Sequence, residues 1–413
     1  MDGSLPIIID RSRREDDEKC RRLRYWRYEH EGRGIEKGGE WLDPLIGTAL
    51  HNGIEHALRG GGVEESVAFT RETILAARRR GPILVFRPGP DADADIEEGI
   101  ELAEALLRGW IAVRRDAILR EFEIISIERE MHYDYSYRGH IVRQLSRPDI
   151  VHRRRNDGAV FVRNLKTTSR VDDKWRTKWR YDMQTFSEAL AVEAELGEPV
   201  AGTIMEGIVK GSRKAYPMGS GDYHWDSPLL FAWKRDGEPP MTEDQWYARY
   251  EWTCTGPHEM GRGKPCPGGR NHRLSGVHRS RVAERLGGVS GWISYLNVSD
   301  PALLQEQYVE LTPILRSPYE IERWKRQALP REVEIRETRE HLIADDHMGP
   351  EVRDELLDKW FPMSTSAGNC VWPSQCAYFE VCHGVAGDDL EGNGFRPRDP
   401  NHPAEFGGSD DGN

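Results

Sequence analysis

The stretch RPDIVHRRRNDGAVFVRNLKTTS, residues 147–169, constrains the fold more than any other part of the chain. Two strand-like runs flank Asn156-Asp157-Gly158, and Asp-Gly is a strong hairpin signal because both residues tolerate left-handed backbone. A two-residue turn at Asp157-Gly158 sets Asn156 opposite Ala159. Counting on from there carries Asp149 opposite Lys166, and a longer turn moves the match by a residue or so. Opposed residues stand about 5 Å apart. Side chains alternate along a strand, so Asn164 and Lys166 share a face and Leu165 points away. An acid, an amide and an amine therefore converge at one end of the hairpin.

The surrounding patterns describe an α/β chain. In DPLIGTALHNGIEHALRGGG, Ile46, Leu50, Ile54 and Leu58 recur every four positions before a glycine run, predicting a helix over about 45–59. His51 and Glu55 share one face of it. CRRLRYWRYEHEGRGIE reads as a short helix ending at Gly32 or Gly34, and about 93–120 as a long one. EIISIEREMHYDYSYR, LSRPDIVHRR and AVFVRNLKTTS read as three successive antiparallel strands, followed by a helix at YDMQTFSEALAVEAEL and an apolar strand at PVAGTIMEGIVKG. Residues 1–15 read as a flexible N-terminus and 16–210 as the core. Residues 211–345 read as an insertion or accessory region, 346–383 as a cysteine-bearing segment and 384–413 as a disordered tail.

The chain has 413 residues and a formal net charge of -12, which argues against coating nucleic acid by bulk attraction. Charge is unevenly placed, however. Between Val151 and Arg180 stand Arg153, Arg154, Arg155, Arg163, Lys166, Arg170, Lys174, Arg176, Lys178 and Arg180, against Asp157, Asp172 and Asp173. Such a sector is either a solvated charged face or a polyanion site, with Trp175 and Trp179 as stacking surfaces. No apolar run is long enough to span a bilayer and the start lacks a signal-peptide core, so the expected location is the cytoplasm.

Phosphodiester hydrolysis needs oxygen ligands for Mg²⁺ or Mn²⁺, an activated water and a cation near the developing charge. Asp149 suits the first and Lys166 the others. Taken in order, His51 after GTALH, Glu128 in a strand, Asp149, Asn164-Leu165-Lys166 and Gln184 resemble the RecB-like branch of the PD-(D/E)XK nuclease superfamily. That branch includes CRISPR-associated adaptation nucleases and phage exonucleases. The resemblance implies a restriction-endonuclease-like core, a mixed central sheet flanked by helices, with helical terminal segments joined by a metal cluster. It implies His51 and Asp149 as metal ligands, Lys166 as the catalytic lysine and Gln184 as a contact to DNA or to the site; within the basic sector, Arg170, Lys174, Arg176, Lys178 and Arg180 are the expected DNA-binding face. Glu55, Glu128 and Glu188 are supporting acids. The expected partner is DNA, single-stranded or at duplex ends, with recombination or CRISPR-adaptation proteins beside it in a prokaryotic or phage-infected cell.

Asn164 departs from the family pattern, which has Asp or Glu there. An amide oxygen coordinates a hard cation but brings no charge. Three explanations stand open: Asn164 suffices as a neutral ligand, Glu188 has taken over the acidic role, or the site is a disabled nuclease that still binds DNA.

Cys370, Cys376 and Cys382 form C-x5-C-x5-C, with Cys20 near the opposite terminus. In a reducing compartment clustered thiols favour metal, and four thiolates suit either a [4Fe-4S] cluster or tetrahedral zinc. The family resemblance implies the iron-sulfur cluster, one cysteine preceding the nuclease core and three following it. Cys254, His258, Cys266 and His272 form C-x3-H-x7-C-x5-H, which reads either as an additional Zn²⁺ site within 254–272 or as incidental residues of a Gly- and Pro-rich loop.

Overall fold

A computed structural model describes residues 6–85, 92–168, 171–210, 305, 307–344, 350–364, 367–371, 375–384, 389–400, 402 and 405. The expected zinc loop 254–272, Arg170 and most of the region after 210 lie outside the described residues. In chain order the elements are β1 (Ile7–Ile9), α1 (Arg11–Lys19), α2 (Arg21–Arg24), β2 (Ile35–Lys37), β3 (Glu40–Trp41), α3 (Leu42–Leu58), α4 (Val63–Arg80), β4 (Ile83–Leu84), α5 (Ala92–Trp110) and α6 (Asp116–Glu121). There follow β5 (Phe122–Ile127), β6 (Met131–Tyr137), β7 (His140–Ser146), β8 (Ile150–Arg154), β9 (Val160–Thr168), α7 (Asp173–Lys178), α8 (Gln184–Leu196), β10 (Val200–Val209) and β11 (Tyr308–Glu310). The chain closes with α9 (Pro318–Ala344), α10 (Pro350–Trp360), α11 (Ala367–Val371), α12 (Phe379–Cys382) and β12 (Phe395–Pro397).

This is a mixed α/β architecture. The main sheet has the order β11-β10-β9-β8-β5, in which β9 and β10 run parallel and the other neighbours antiparallel. Phe161 and Leu165 of β9 face a core built with Leu50 and Ile54 of α3 and Leu106 and Trp110 of α5. Val160 and Val162 face the other way, onto Ala191 and Val192 of α8. Burying each large apolar side chain contributes about 1.5–3 kcal/mol, so these two layers fix β9 between helices. Gly47 lets α3 approach β9 closely, because a Cβ there would stand 2.9 Å from Thr167 Oγ1.

The strand count differs from the expected three. EIISIEREMHYDYSYR divides at Glu128, whose φ of 51° turns the chain out of the main sheet. A tight turn at Arg138-Gly139, both at positive φ, then folds β6 onto β7. Strand β1 adds in parallel beside β7, Ile7 next to Val142. Residues 7–15, expected to be flexible, are thus strand and helix, held because Ile7 and Ile9 bury against Val142 and Leu329. Part of the expected disordered tail is also built in: β12 pairs with β2, and Glu405 takes an ion pair from Arg13 at 2.6 Å. The sheet also extends past residue 210, since β11 forms its edge next to β10.

The hairpin turn is wider than the two residues expected. Arg154 N donates to Ala159 O at 2.8 Å, so Arg155, Asn156, Asp157 and Gly158 all lie in the turn. Asp157 supports it by accepting from Ala159 N at 3.2 Å and from the Arg154 guanidinium. Register becomes Ile150 opposite Arg163, which moves Asp149 from the expected place opposite Lys166 to one beside Asn164. Among the described residues no helix is long and apolar enough to cross a membrane.

Candidate metal centre and its surroundings

Three side chains from three elements meet at one end of the main sheet. His51 projects from the middle of α3, a helix pinned by its fully buried Ile46, Ala49 and Leu50. Glu128 sits at the left-handed turn after β5, where its N–H donates to Asp149 O at 3.1 Å. Asp149 leads into β8 and its Oδ2 accepts from Leu165 N of β9 at 2.6 Å, which locks the carboxylate against the hairpin. His51 Nδ1 stands 3.6 Å from Glu128 Oε1 and 3.7 Å from Asp149 Oδ1. These are longer than hydrogen bonds. Ligand atoms sharing one small divalent ion lie about 3 Å apart, so sub-ångström movements would bring all three onto a common cation. Among the described residues this is the set of three or more His, Cys, Asp or Glu groups whose ligand atoms fall within 4.8 Å of one another.

Burial disfavours the charged form of His51, yet the Asp149 and Glu128 carboxylates outweigh burial and the repulsion of Lys166, and its pKa is raised. Such a field favours positive charge at this point, whether a proton or a metal ion. Glu55 does not join the site. It accepts from Arg59 at 2.8 Å, one helical turn along. Arg147 reaches the outer oxygen of Glu128 at 3.3 Å.

Behind this trio lies a buried polar relay. Asn164 is fully buried and donates through Nδ2 to Glu188 Oε2, while its Oδ1 has no hydrogen-bond partner. Gln184 Nε2 donates to Glu188 Oε1 at 2.7 Å, and Arg11 Nη1 donates to Gln184 Oε1 at 2.8 Å. Gln184 is buried in this relay instead of facing solvent. Burial drives the Glu188 carboxyl up to about 8, with Asp149 adding to the rise and Lys166 and the two amide donors opposing it. Lys166 stands two positions beyond Asn164 on β9 and so leaves the same face of the strand, and its charge acts on both His51 and Glu188. Asn164 Oδ1 is an unpaired buried acceptor, and such an atom costs about 1–3 kcal/mol unless a donor or cation reaches it. The acceptor-rich set His51, Glu128, Asp149 and Asn164 fits an oxygen-preferring divalent ion.

The basic sector is narrower than its sequence. Arg153 pairs with Glu198, Arg154 with Asp157, and Arg163 is buried on the opposite face against Glu206 at 2.7 Å and Glu310 at 2.6 Å. Lys174, Arg176, Lys178 and Arg180 remain exposed on and after α7. Trp175 and Trp179, expected as stacking surfaces, are instead buried together with Met205. Trp175 lies across β10 at Gly207, where a Cβ would come within 2.8 Å of its ring.

The four terminal cysteines come together. Cys20 joins α1 to α2, Cys370 lies on α11 and Cys382 ends α12, and with Cys376 they line one cavity alongside Leu23, Met363, Phe379 and His383. None is in a disulfide. Cys376 N donates to Cys370 O at 2.8 Å, which holds these two cysteines next to one another at the cavity. Burial pushes the Cys382 thiol up to about 11 and raises that of Cys376. An apolar cavity ringed by four sulfurs from both chain ends suits a thiolate-bound metal group.

Sequence reasoning missed Arg11, which sat in a stretch expected to be flexible, and placed Glu128 among supporting acids although it stands in the front rank. No local signal marks either one. Comparison with models of known protein families finds no match, and comparison with curated proteins finds no significant relative.

Proposed function

We propose that this chain is a divalent-metal-dependent deoxyribonuclease of the RecB-like, PD-(D/E)XK kind, with an iron-sulfur cluster binding its two ends together. The observation that carries the reading is the meeting of His51, Glu128 and Asp149 beside Asn164 and Lys166. His51, Asp149 and Glu128 would hold Mg²⁺ or Mn²⁺, with Asn164 Oδ1 as a neutral donor within the same cluster. When bound, the ion lowers the pKa of a coordinated water and offsets phosphate charge. Lys166 holds the attacking water in line and steadies the charge that builds on the phosphoryl oxygens as the P–O bond breaks. Glu188, tied to Asn164 and Gln184, orients the amide and supplies the carboxylate that the strand lacks. Exposed Lys174, Arg176, Lys178 and Arg180 offer the phosphate backbone a track.

For the terminal centre, Cys20, Cys370, Cys376 and Cys382 would be the ligands. A single tetrahedral zinc draws its sulfurs to about 3.8 Å of one another, as Zn–S bonds near 2.3 Å require. The family resemblance favours instead a multi-iron cluster with one thiolate per iron.

A second reading, a DNA-binding module without catalysis, draws on the neutral Asn164 and on the carboxyl of Glu188, which is mostly protonated at neutral pH. One experiment separates the two. Labelled single- and double-stranded DNA is incubated with the chain and Mg²⁺ or Mn²⁺, alongside Lys166→Ala and Asn164→Asp. Cleavage by the parent that Lys166→Ala abolishes supports the enzyme. Cleavage that appears only in Asn164→Asp supports the binding module.

A further inference from the structure

The aromatic rings that border the basic helix are not the tryptophans. Tyr181, next to Arg180, is 75% exposed, and Leu315 and Tyr319 are 67% and 68% exposed. Single exposed apolar residues are ordinary, but these three belong to two segments that are riveted together. Arg316, its side chain only 7% exposed, donates through Nη2 to Asp182 O at 3.2 Å and through Nε to Thr185 Oγ1 at 3.3 Å. It also pairs with Glu320 at 3.2 Å, and its guanidinium lies 6.0 Å from the Tyr181 ring. The start of α9 is therefore held against the start of α8, beside Gln184 and its relay to Asn164.

Charge is arranged to match. Lys174, Arg176, Lys178 and Arg180 lead along α7 towards Tyr181, and Arg11, which donates to Gln184 of the relay at 2.8 Å, lies 5.8 Å from the ring of Trp179 at the end of α7, so α7 borders the surroundings of the candidate metal centre. Three nearby acids are engaged, while Asp173 at the start of α7 is exposed: Asp172 caps α7 through Trp175 N at 2.8 Å, Asp182 pairs with Arg11 at 3.1 Å, and Glu320 caps α9 through Ser317 N at 2.9 Å. Cations flanking exposed tyrosines are what unpaired nucleobases require, phosphates on the former and base faces on the latter. A duplex stacks its base faces internally and offers such a patch only its backbone.

We propose that Tyr181 and Tyr319 are a stacking platform for unpaired bases, holding single-stranded DNA whose phosphates follow α7 into the metal centre. This rests on the nuclease reading above and supplies its substrate class. Leu315, exposed four positions before Tyr319, adds apolar surface to that segment.

The test uses the full chain in EDTA, with fluorescein-labelled oligo-deoxythymidine and a duplex of equal length, read by fluorescence anisotropy. The parent should prefer the single strand. Tyr181→Ala and Tyr319→Ala should each weaken single-strand binding roughly tenfold while leaving duplex binding unchanged, and Tyr181→Phe should retain it. An oligonucleotide carrying iododeoxyuridine should photo-crosslink to Tyr181 or Tyr319. Thermal melting of each variant establishes that it is folded. The platform is overturned if the alanine variants bind the single strand like the parent, if single-strand and duplex binding fall together, or if the crosslink maps elsewhere. Lys166-dependent cleavage by a parent whose tyrosine variants bind normally would sink the platform alone. A parent that neither binds nor cuts DNA sinks both readings.

Discussion

Glu188 offers the sharpest test of the site's electrostatics. Its carboxyl is buried, accepts from Asn164 and Gln184, and is pushed from the ordinary 4.5 up to about 8. At about 1.4 kcal/mol per pH unit, that displacement corresponds to up to about 5 kcal/mol between the protonated and ionised forms. The folded chain holds a proton that the unfolded chain releases above 4.5, so the contribution of this group to stability is fully present below 4.5. It falls as pH rises and is lost above about 8. Glu188→Gln mimics the protonated carboxyl and does not titrate. The new amide is accommodated if Asn164 turns its side chain over, because Asn164 Oδ1 has no partner to lose. Urea unfolding followed by tryptophan fluorescence in EDTA should therefore show variant and parent nearly equal near pH 5. The variant should gain by about 1 kcal/mol per pH unit and level off above pH 8. A difference that stays constant from pH 5 to 9 would refute the burial argument, as would a variant that weakens with rising pH.

Asn164→Asp sets a second buried carboxyl against Glu188 and should cost about 2–4 kcal/mol in EDTA, with Mn²⁺ restoring most of it. Identical melting with and without Mn²⁺ would count against a cation at this place. Glu405→Gln removes the charge that pairs with buried Arg13 and Arg398, and a loss of about 3 kcal/mol in chemical denaturation is expected. An unchanged denaturation midpoint would mean that the pairing of Glu405 with Arg13 and Arg398 contributes nothing. Cys20→Ser should strip iron and visible absorbance from anaerobically purified protein, measured by elemental analysis and spectrum. A colourless parent with stoichiometric zinc would overturn the iron assignment.

Much of this architecture is legible in the sequence because it rests on local rules. The four-residue period of α3 and the Asp-Gly turn announce their elements directly, and the turn brings Asp149 to the hairpin end even though its width was misjudged. That width depends on the Asp157 side chain bonding to Ala159 N and to Arg154, a choice between turn types that composition does not fix. Helix α4 escaped notice because its inward face is built from Ser66, Val67, Thr70, Ile74 and Ala77, too polar to stand out as a stripe. Strand β6 was merged with β5 because the break at Glu128 is a left-handed non-glycine residue, and most of β7 fell between the expected runs. The N-terminal order was invisible for another reason. Arg13 pairs with Glu405 at 2.6 Å, a partner 392 positions away.

The asparagine in the hairpin strand has a physical rationale in the helix beside it. A strand carboxylate at 164 would face Glu188 across a buried contact, and two such groups cannot both ionise cheaply without a cation between them. With Asn164 the pair becomes an amide donor and a single carboxyl. Without a cation, the centre then carries its front charges on Asp149 and Glu128, which are opposed by His51, while Glu188 remains mostly protonated at neutral pH. A divalent ion entering this arrangement favours release of that proton, because its charge adds to that of Lys166 in stabilising the ionised form. With its acid on the helix and not on the strand, the arrangement keeps a latent negative charge beside Asn164. It avoids the repulsion that two permanent charges would impose on the apo fold.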